Sequence, residues 1–302
     1  MGCRPVRWAF NCSKWTPTRE EWLLASRCIQ AEEKDRIGLF YFARDAKASM
    51  VSAPRKMITY TVLKQKCLFQ AGRLLLRKCI SESLSLPYNQ IRLGRDENNR
   101  PIILSPEVKN ASFDLNVSHQ GSFSVLAADH SEKVGVDIMK IEYSGGKAVH
   151  EFFRLMRRQF TPSEWGFIEQ PGTERELLSR FYRLWCLKEG FVKAEGVGLG
   201  MDLQRLSFSC ETPWLQQRVM TCDTRLFMDG VPLINWQFQE TLLDGDHCVC
   251  TALQVEDKAI PKEIPMFTIL TFEELMSSAV PLTNEVDEGY WSRFEEKPVQ
   301  PS

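Results

Sequence analysis

Hydrophobic and polar positions alternate along this chain with two different periods, and the change of period marks its elements. Alternation by two, with β-branched residues between turn formers, predicts strands over 100–104, 113–120, 122–128 and 134–141. Three more are predicted later, over 226–228, 234–240 and 247–253, separated by Asp229-Gly230 and Asp244-Gly245. Such dipeptides supply the positive φ angles of tight hairpins, so the sheets are expected to be mainly antiparallel. Helix starts are written twice in one form: Thr18-Arg19-Glu20-Glu21-Trp22 and Thr161-Pro162-Ser163-Glu164-Trp165 both read Thr-x-x-Glu-Trp. This is a capping box, in which hydroxyl and carboxylate satisfy orphan amides reciprocally, and Pro162 stands where a helix needs no amide donor. At similar distances follow Arg44-Asp45-Ala46-Lys47 and Trp185-Cys186-Leu187-Lys188-Glu189, two more helical stretches.

The repeat predicts an α+β protein of two similar, pseudo-twofold α/β lobes, over 1–121 and 122–255, the second carrying the candidate chemistry. From residue 256 onward come Pro261, Pro265, Pro281, Pro298 and Pro301 with one capped helix at 271–279, read as an appendage ending in disorder. Within the first lobe, 51–70 reads as an intrusion. Pro54 would break a continuous helix, so the segment is expected either to loop out or to damage the lobe.

Composition narrows the function classes. With 38 Lys+Arg against 39 Asp+Glu the net charge is −1, so no global field gathers nucleic acid or acidic membranes, and an anion site must be local. No apolar run reaches membrane-spanning length, and Met1-Gly2-Cys3-Arg4-Pro5-Val6 lacks both a secretory core and the hydroxyl residue of a myristoylation signal. Ten cysteines lie scattered without the paired spacing of a zinc site, which favours reduced thiols and a cytosolic protein. Cys248 and Cys250 fall on one face of a predicted strand, as small buried hydrophobes.

Two clusters carry chemistry. Asp137 in Gly135-Val136-Asp137-Ile138-Met139-Lys140 ends an apolar strand and offers a fixed carboxylate for a hard cation; alone, an Asp after a strand is more often a turn or cap residue. Trp185, Glu189 and Lys193 fall at steps of four and share one helix face, as either a functional pair or an ordinary exposed ion pair. Gly196-Val197-Gly198-Leu199-Gly200 follows a helix rather than leading from strand to helix, so it is a helix terminus and not a nucleotide loop.

Gly135-Val136-Asp137 followed by Trp185-x-x-Lys188-Glu189-x-x-x-Lys193 resembles the signature of the Sfp-type 4′-phosphopantetheinyl transferases. The animal branch of that family is resembled over nearly the whole chain. The likeness runs through Val6-Arg7-Trp8-Ala9-Phe10, Phe42-Ala43-Arg44-Asp45-Ala46-Lys47, Ser118-His119-Gln120-Gly121, Tyr182-Arg183 and Met276-Ser277-Ser278-Ala279-Val280-Pro281. The resemblance implies a monomer with coenzyme A and Mg²⁺ in a cleft between lobes, acting as a holo-[acyl-carrier-protein] synthase. In that reading Asp137 and Glu189 ligate Mg²⁺, Glu189 is also the base that deprotonates the carrier serine, directly or through a metal-bound water, and Lys193 holds a pyrophosphate oxygen. Arg36, Arg95, Ser118 and His119 surround the adenosine 3′,5′-bisphosphate end. Partners are acyl carrier protein domains of the fatty acid synthase and aminoadipate reductase types, with Arg154, Arg157 and Arg158 as a docking rim. His130, His150 and His247 receive no role.

Two departures stand out. Bacterial relatives place a second acidic residue where this chain has Met139, a soft thioether unsuited to Mg²⁺; the Gln120 amide oxygen, or a water, is expected to complete the shell. The animal pattern also runs from Met50 directly into Ala71, so residues 51–70 are extra. The same acidic and basic residues would serve a magnesium-dependent nucleotide pyrophosphate hydrolase, and the extra segment keeps open a catalytically impaired isoform that only binds coenzyme A or carrier protein.

Overall fold

The computed structural model describes residues 4–34, 55–105, 113–143, 145–146, 148–255 and 264–295, with the side chains of 55–62 and 199 excepted. In chain order the elements are β1 (Val6–Asn11), α1 (Arg19–Arg27), α2 (Arg55–Leu84), β2 (Leu93–Arg95), β3 (Pro101–Ile103), β4 (Asp114–Gln120), β5 (Phe123–Asp129) and β6 (Val134–Lys140). There follow α3 (Val149–Leu155), α4 (Pro162–Ile168), α5 (Glu174–Glu195), β7 (Leu206–Ser209), β8 (Arg225–Met228), β9 (Val231–Pro232), β10 (Trp236–Leu242), β11 (His247–Gln254), β12 (Thr268–Leu270), α6 (Phe272–Met276) and α7 (Glu288–Glu295). The expected α+β class with antiparallel pairing is what the chain adopts.

Two compact units result, and their boundaries differ from the expected lobes. One comprises Met1–Arg7, Leu93–Gly121 and Val125–Thr268; the other Trp8–Arg92, Ser122–Ser124 and Ile269–Ser302. The chain enters each unit more than once, which a linear reading of motifs does not reveal.

In the first unit the antiparallel sheet β10-β11-β6 is covered by α5. Strand β11 is buried along nearly its whole length, Cys248 and Cys250 included, as their alternation predicts. Helix and sheet approach so closely that a Cβ on Gly135 would lie 2.0 Å from the Gly190 carbonyl oxygen and 2.5 Å from the Ala194 nitrogen. Only glycine fits there. Helix α5 starts on a capping box, Thr173 with Glu176, and stops at Gly196, whose φ of 70° provides a left-handed C-cap.

Two buried ion pairs tie α5 to its surroundings. Glu164, the capping-box carboxylate of α4, accepts from the backbone amides of Thr161 (2.8 Å) and Phe208 (3.0 Å) and pairs with Lys188 Nζ at 2.8 Å. Lys188 also donates to the carbonyls of Leu203 and Leu206. Arg183 pairs with Glu240 of β10 at 2.8 Å and donates to Thr212 O. Burial disfavours the Arg183 charge, but Glu240 outweighs it and holds the guanidinium firmly protonated. Both pairs are therefore buried yet hydrogen-bonded.

In the second unit α2 is a single helix over Arg55–Leu84; Pro54 lies outside the described residues. The 51–70 segment does not loop out as a whole: residues 55–70 belong to α2, with Leu68 and Gln70 fully buried. Ser124 Oγ donates to Leu68 O at 2.6 Å, and Tyr290 Oη to Gln70 Oε1 at 2.8 Å. Tyr290 belongs to the tail, expected as an appendage. Instead α7 stacks Tyr290 and Phe294 on Trp22 of α1, with ring centroids 5.5 and 4.1 Å apart. Trp15 stacks likewise on Phe272 of α6. Aromatic burial on this scale makes the tail part of the unit's core. The expected disordered end, 296–302, lies outside the described residues, as do Arg44–Lys47.

Candidate active site

Alternation along β4 places Asp114, Asn116, Ser118 and Gln120 on one face, and that face meets β6. Asp114 Oδ2 accepts from the Val134 amide at 2.6 Å, Asn116 Oδ1 from Val136 at 3.3 Å, and Gln120 Oε1 from Lys140 at 2.5 Å. Side chains thus take the part of a neighbouring strand's carbonyls, each about twenty residues upstream of its donor. Burial raises the Asp114 pKa, opposed by Arg100, whose guanidinium bonds Asp114 and also donates to Val134 O and to Ala194 O near the end of α5.

The remaining rung is different. Ser118 Oγ donates to Asp137 Oδ1 at 2.9 Å, while Lys193 Nζ donates to Ser118 Oγ at 2.7 Å and to Asp137 Oδ1 at 2.5 Å. A hydroxyl can give one proton and accept others, so the triangle closes. Asp137 is only 4% exposed, and its Oδ2 is buried without a hydrogen-bond partner among the described residues. A buried orphan carboxylate oxygen is costly and points to a missing ligand.

Glu189 stands one turn before Lys193. On α5 the buried neighbours 186–188, 190–192 and 194 leave Trp185, Glu189 and Lys193 as a half-exposed stripe, the shared face that their spacing implies. Cys186 Sγ donates to the Asp137 carbonyl at 3.1 Å and Lys193 bonds its carboxylate, so α5 runs beside Asp137. Among the described residues no three His, Cys, Asp or Glu side chains cluster as a metal cage. Mg²⁺ does not require one, since it commonly binds one or two carboxylates and completes its shell with phosphate oxygens and water. Asp137 Oδ2 and Glu189, with a second lone pair on Gln120 Oε1, are hard oxygen donors that fit it.

The triangle is made by Ser118, Asp137 and Lys193 alone. His119 is half-buried on the face of β4 opposite Ser118 and Gln120. Arg95 ends β2 and donates to Asn99 O across the β2–β3 turn. Arg36 lies outside the described residues. Sequence reasoning passed over Lys188 as anything but a motif letter. Its burial and its three partners show that the motif holds one lysine for structure and another, Lys193, for the site.

The N-terminal model of 4′-phosphopantetheinyl transferases matches residues 13–131, and the model of the 4′-phosphopantetheinyl transferase superfamily matches 133–252. A human L-aminoadipate-semialdehyde dehydrogenase-phosphopantetheinyl transferase is 44% identical over 98% of this chain and 93% of its own length. A phosphopantetheinyl transferase of Thraustochytrium is 32% identical over 82% and 77%. The Sfp enzyme of Bacillus subtilis is 27% identical over 59% and 65%. Since the second model spans the strand bearing Asp137 and the helix bearing Glu189 and Lys193, the likeness includes the site itself: this chain belongs to the 4′-phosphopantetheinyl transferase superfamily.

Proposed function

We propose that this chain transfers the 4′-phosphopantetheine group of coenzyme A to a serine of an acyl carrier protein domain. Apo carrier becomes holo carrier and adenosine 3′,5′-bisphosphate is released. The observation that carries this reading is the Asp137–Ser118–Lys193 triangle with its unpartnered, buried Asp137 Oδ2, in a chain of this family.

Asp137, Glu189 and Gln120 would hold Mg²⁺. When bound, the cation supplies charge neutralisation at the pyrophosphate as the phosphoanhydride is cleaved. Lys193 binds a pyrophosphate oxygen, exchanging part of its bond to Asp137 for one to substrate. Glu189 takes the proton from the carrier's serine hydroxyl as that oxygen bonds to the β-phosphorus and the bond to the bridging oxygen breaks; such assistance is typically worth about 10²–10⁴-fold. Arg36, Arg95, Ser118 and His119 bind the adenosine 3′,5′-bisphosphate end, where guanidinium groups match phosphate oxygens in pairs.

For the carrier we assign the end of α3 and the turn after it. Arg154, Arg157 and Arg158 are exposed there around Leu155, itself 68% exposed, a surface suited to an acidic helix with an apolar residue at its centre. An unchanged KM for carrier on replacing the three arginines with Ala would remove this assignment. Carriers of the fatty acid synthase and aminoadipate reductase types are the proposed substrates, the latter supported by the name of the human relative. We place the protein, as a monomer, in the cytosol. Its described cysteines, free thiols rather than disulfides, are in keeping with a reducing compartment.

The test is mass spectrometry of purified apo acyl carrier protein incubated with this chain, coenzyme A and Mg²⁺, beside a Glu189→Gln control. A gain of one phosphopantetheine with the chain and none with the control is expected. No gain, from either this chain or a form lacking residues 51–70, would overturn the transferase reading. Gain only from the shorter form would make this chain the impaired, binding-only isoform.

A further inference from the structure

Outside the triangle, one buried histidine has no part in the chemistry above. His247 opens β11, with its side chain 3% exposed. Its Nδ1 lies 2.9 and 3.1 Å from the two oxygens of Asp244. An ionised carboxylate only accepts, so the proton sits on Nδ1 and the ring is held in one orientation. Asp244 is itself fixed: its Oδ1 accepts from the backbone amides of Asp246 and His247, each at 2.8 Å. The ring's far edge lies against Gly121. A Cβ there would be 2.2 Å from His247 Nε2, 2.8 Å from Cδ2 and 3.0 Å from Lys140 Cβ, and the φ of Gly121 is +61°.

Gly121 directly follows Gln120, and Gln120 Oε1 is bonded to the backbone of Lys140, the register partner of His247 in the β11–β6 ladder. Three segments therefore meet at one imidazole: the β10–β11 turn through Asp244, the end of β6 through Lys140, and the end of β4 through Gly121. We infer that Asp244 and His247 form a positioning pair, whose rigid ring sets the Gln120–Gly121 end of β4 and so aims the Gln120 amide at the cation site. The inference rests on the proposed role of Gln120 as a metal-site residue. Polar groups behind a ligand typically change metal affinity or activity by about 10–100-fold when removed.

The experiment uses the full chain with Mn²⁺ as the probe, its binding read by the electron paramagnetic resonance signal of the free ion. Transfer kinetics and thermal denaturation run in parallel on wild type, His247→Ala, His247→Gln and Asp244→Asn. We expect His247→Ala to weaken Mn²⁺ binding about tenfold or more and to lower kcat with little change in the KM for carrier. His247→Gln, whose amide reaches toward Gly121, should recover much of the loss. Asp244→Asn keeps the ring and loosens only its anchor, so it should show a smaller loss in the same direction; it decides the matter if His247→Ala does not fold. Wild-type Mn²⁺ affinity in the folded variants, with only a lowered melting temperature, would make the pair purely structural and overturn the inference. If wild type transfers but binds no Mn²⁺, the metal role of Gln120 and this pair fall together while the transferase reading stands.

Discussion

Lys188 Nζ and Glu164 Oε2 are 2.8 Å apart with both side chains completely shielded from solvent, and between them they join α5, the start of α4 and the approach to β7. Burial lowers the Lys188 pKa and Glu164 opposes that effect, so each charge depends on the other. Removing one partner of such a pair strands a buried charge, at a cost of about 3–5 kcal/mol. Lys188→Ala should therefore lose stability on this scale in urea denaturation, more than Lys193→Ala, five residues further along α5. Equal loss from the two variants would sink the division of labour between the lysines.

Lys193→Met should do the opposite. The residue is half-exposed and closes the triangle with Ser118 and Asp137, so the fold should survive while transfer falls about 10²–10³-fold, the usual cost of deleting one group that stabilises developing charge. Ser118→Ala leaves the Lys193–Asp137 bond in place and should cost roughly tenfold less. Steady-state kinetics on carrier protein, with melting curves as the folding control, would check both.

Two glycines at one interface should respond with opposite sign. Gly135→Ala drives a methyl to 2.0 Å from the Gly190 carbonyl, so α5 must move, at about 1–3 kcal/mol or more, and Lys193 moves with it. Gly190→Ala meets nothing nearer than Cys250 Sγ at 3.5 Å and replaces a helical glycine, so it should be neutral or stabilise by up to about 1 kcal/mol. Urea midpoints for the two single variants suffice; a destabilised Gly190→Ala would contradict the packing described.

Alkaline pH should unfold the chain through its thiols. Burial pushes Cys28 and Cys222 from 9.0 up to about 11, partly offset at Cys28 by Arg27. A group with a raised native pKa contributes stability that is fully present below its unfolded value and lost as pH climbs to its folded one, so the window runs from about 9 to 11. Two pKa units at the buried Cys28 correspond to roughly 2–3 kcal/mol. The urea midpoint should fall across that window, and Cys28→Ala should flatten the fall.

Local chemistry was legible in the sequence and long-range chemistry was not. Thr161-x-x-Glu164 announced a capping box, and the box is present, but nothing local says that the same carboxylate also meets a lysine twenty-four residues on. Likewise Asp114, Asn116, Ser118 and Gln120 show their period of two in the sequence. Their role as acceptors for the β6 amides depends on β4 lying beside β6, which the pattern of either strand leaves open. Asp137, Glu189 and Lys193 could be singled out because two of them share a helix stripe and the third sits in a short signature. His247 could not, since its significance lies in Gly121 having no side chain.

Helix α2 carries a further consequence for any shorter form of this chain. Excising 51–70 joins Met50 to Ala71 and slides Arg44–Met50 into the helical places now held by 64–70. Lys47 would then occupy the site of buried Cys67, Ala48 that of Leu68, and Met50 that of Gln70, whose bond to Tyr290 would vanish. The bond from Ser124 to the backbone at 68 needs no particular side chain and could persist. What looks on paper like removal of a surplus loop is, inside the protein, the exchange of one helical ridge for another.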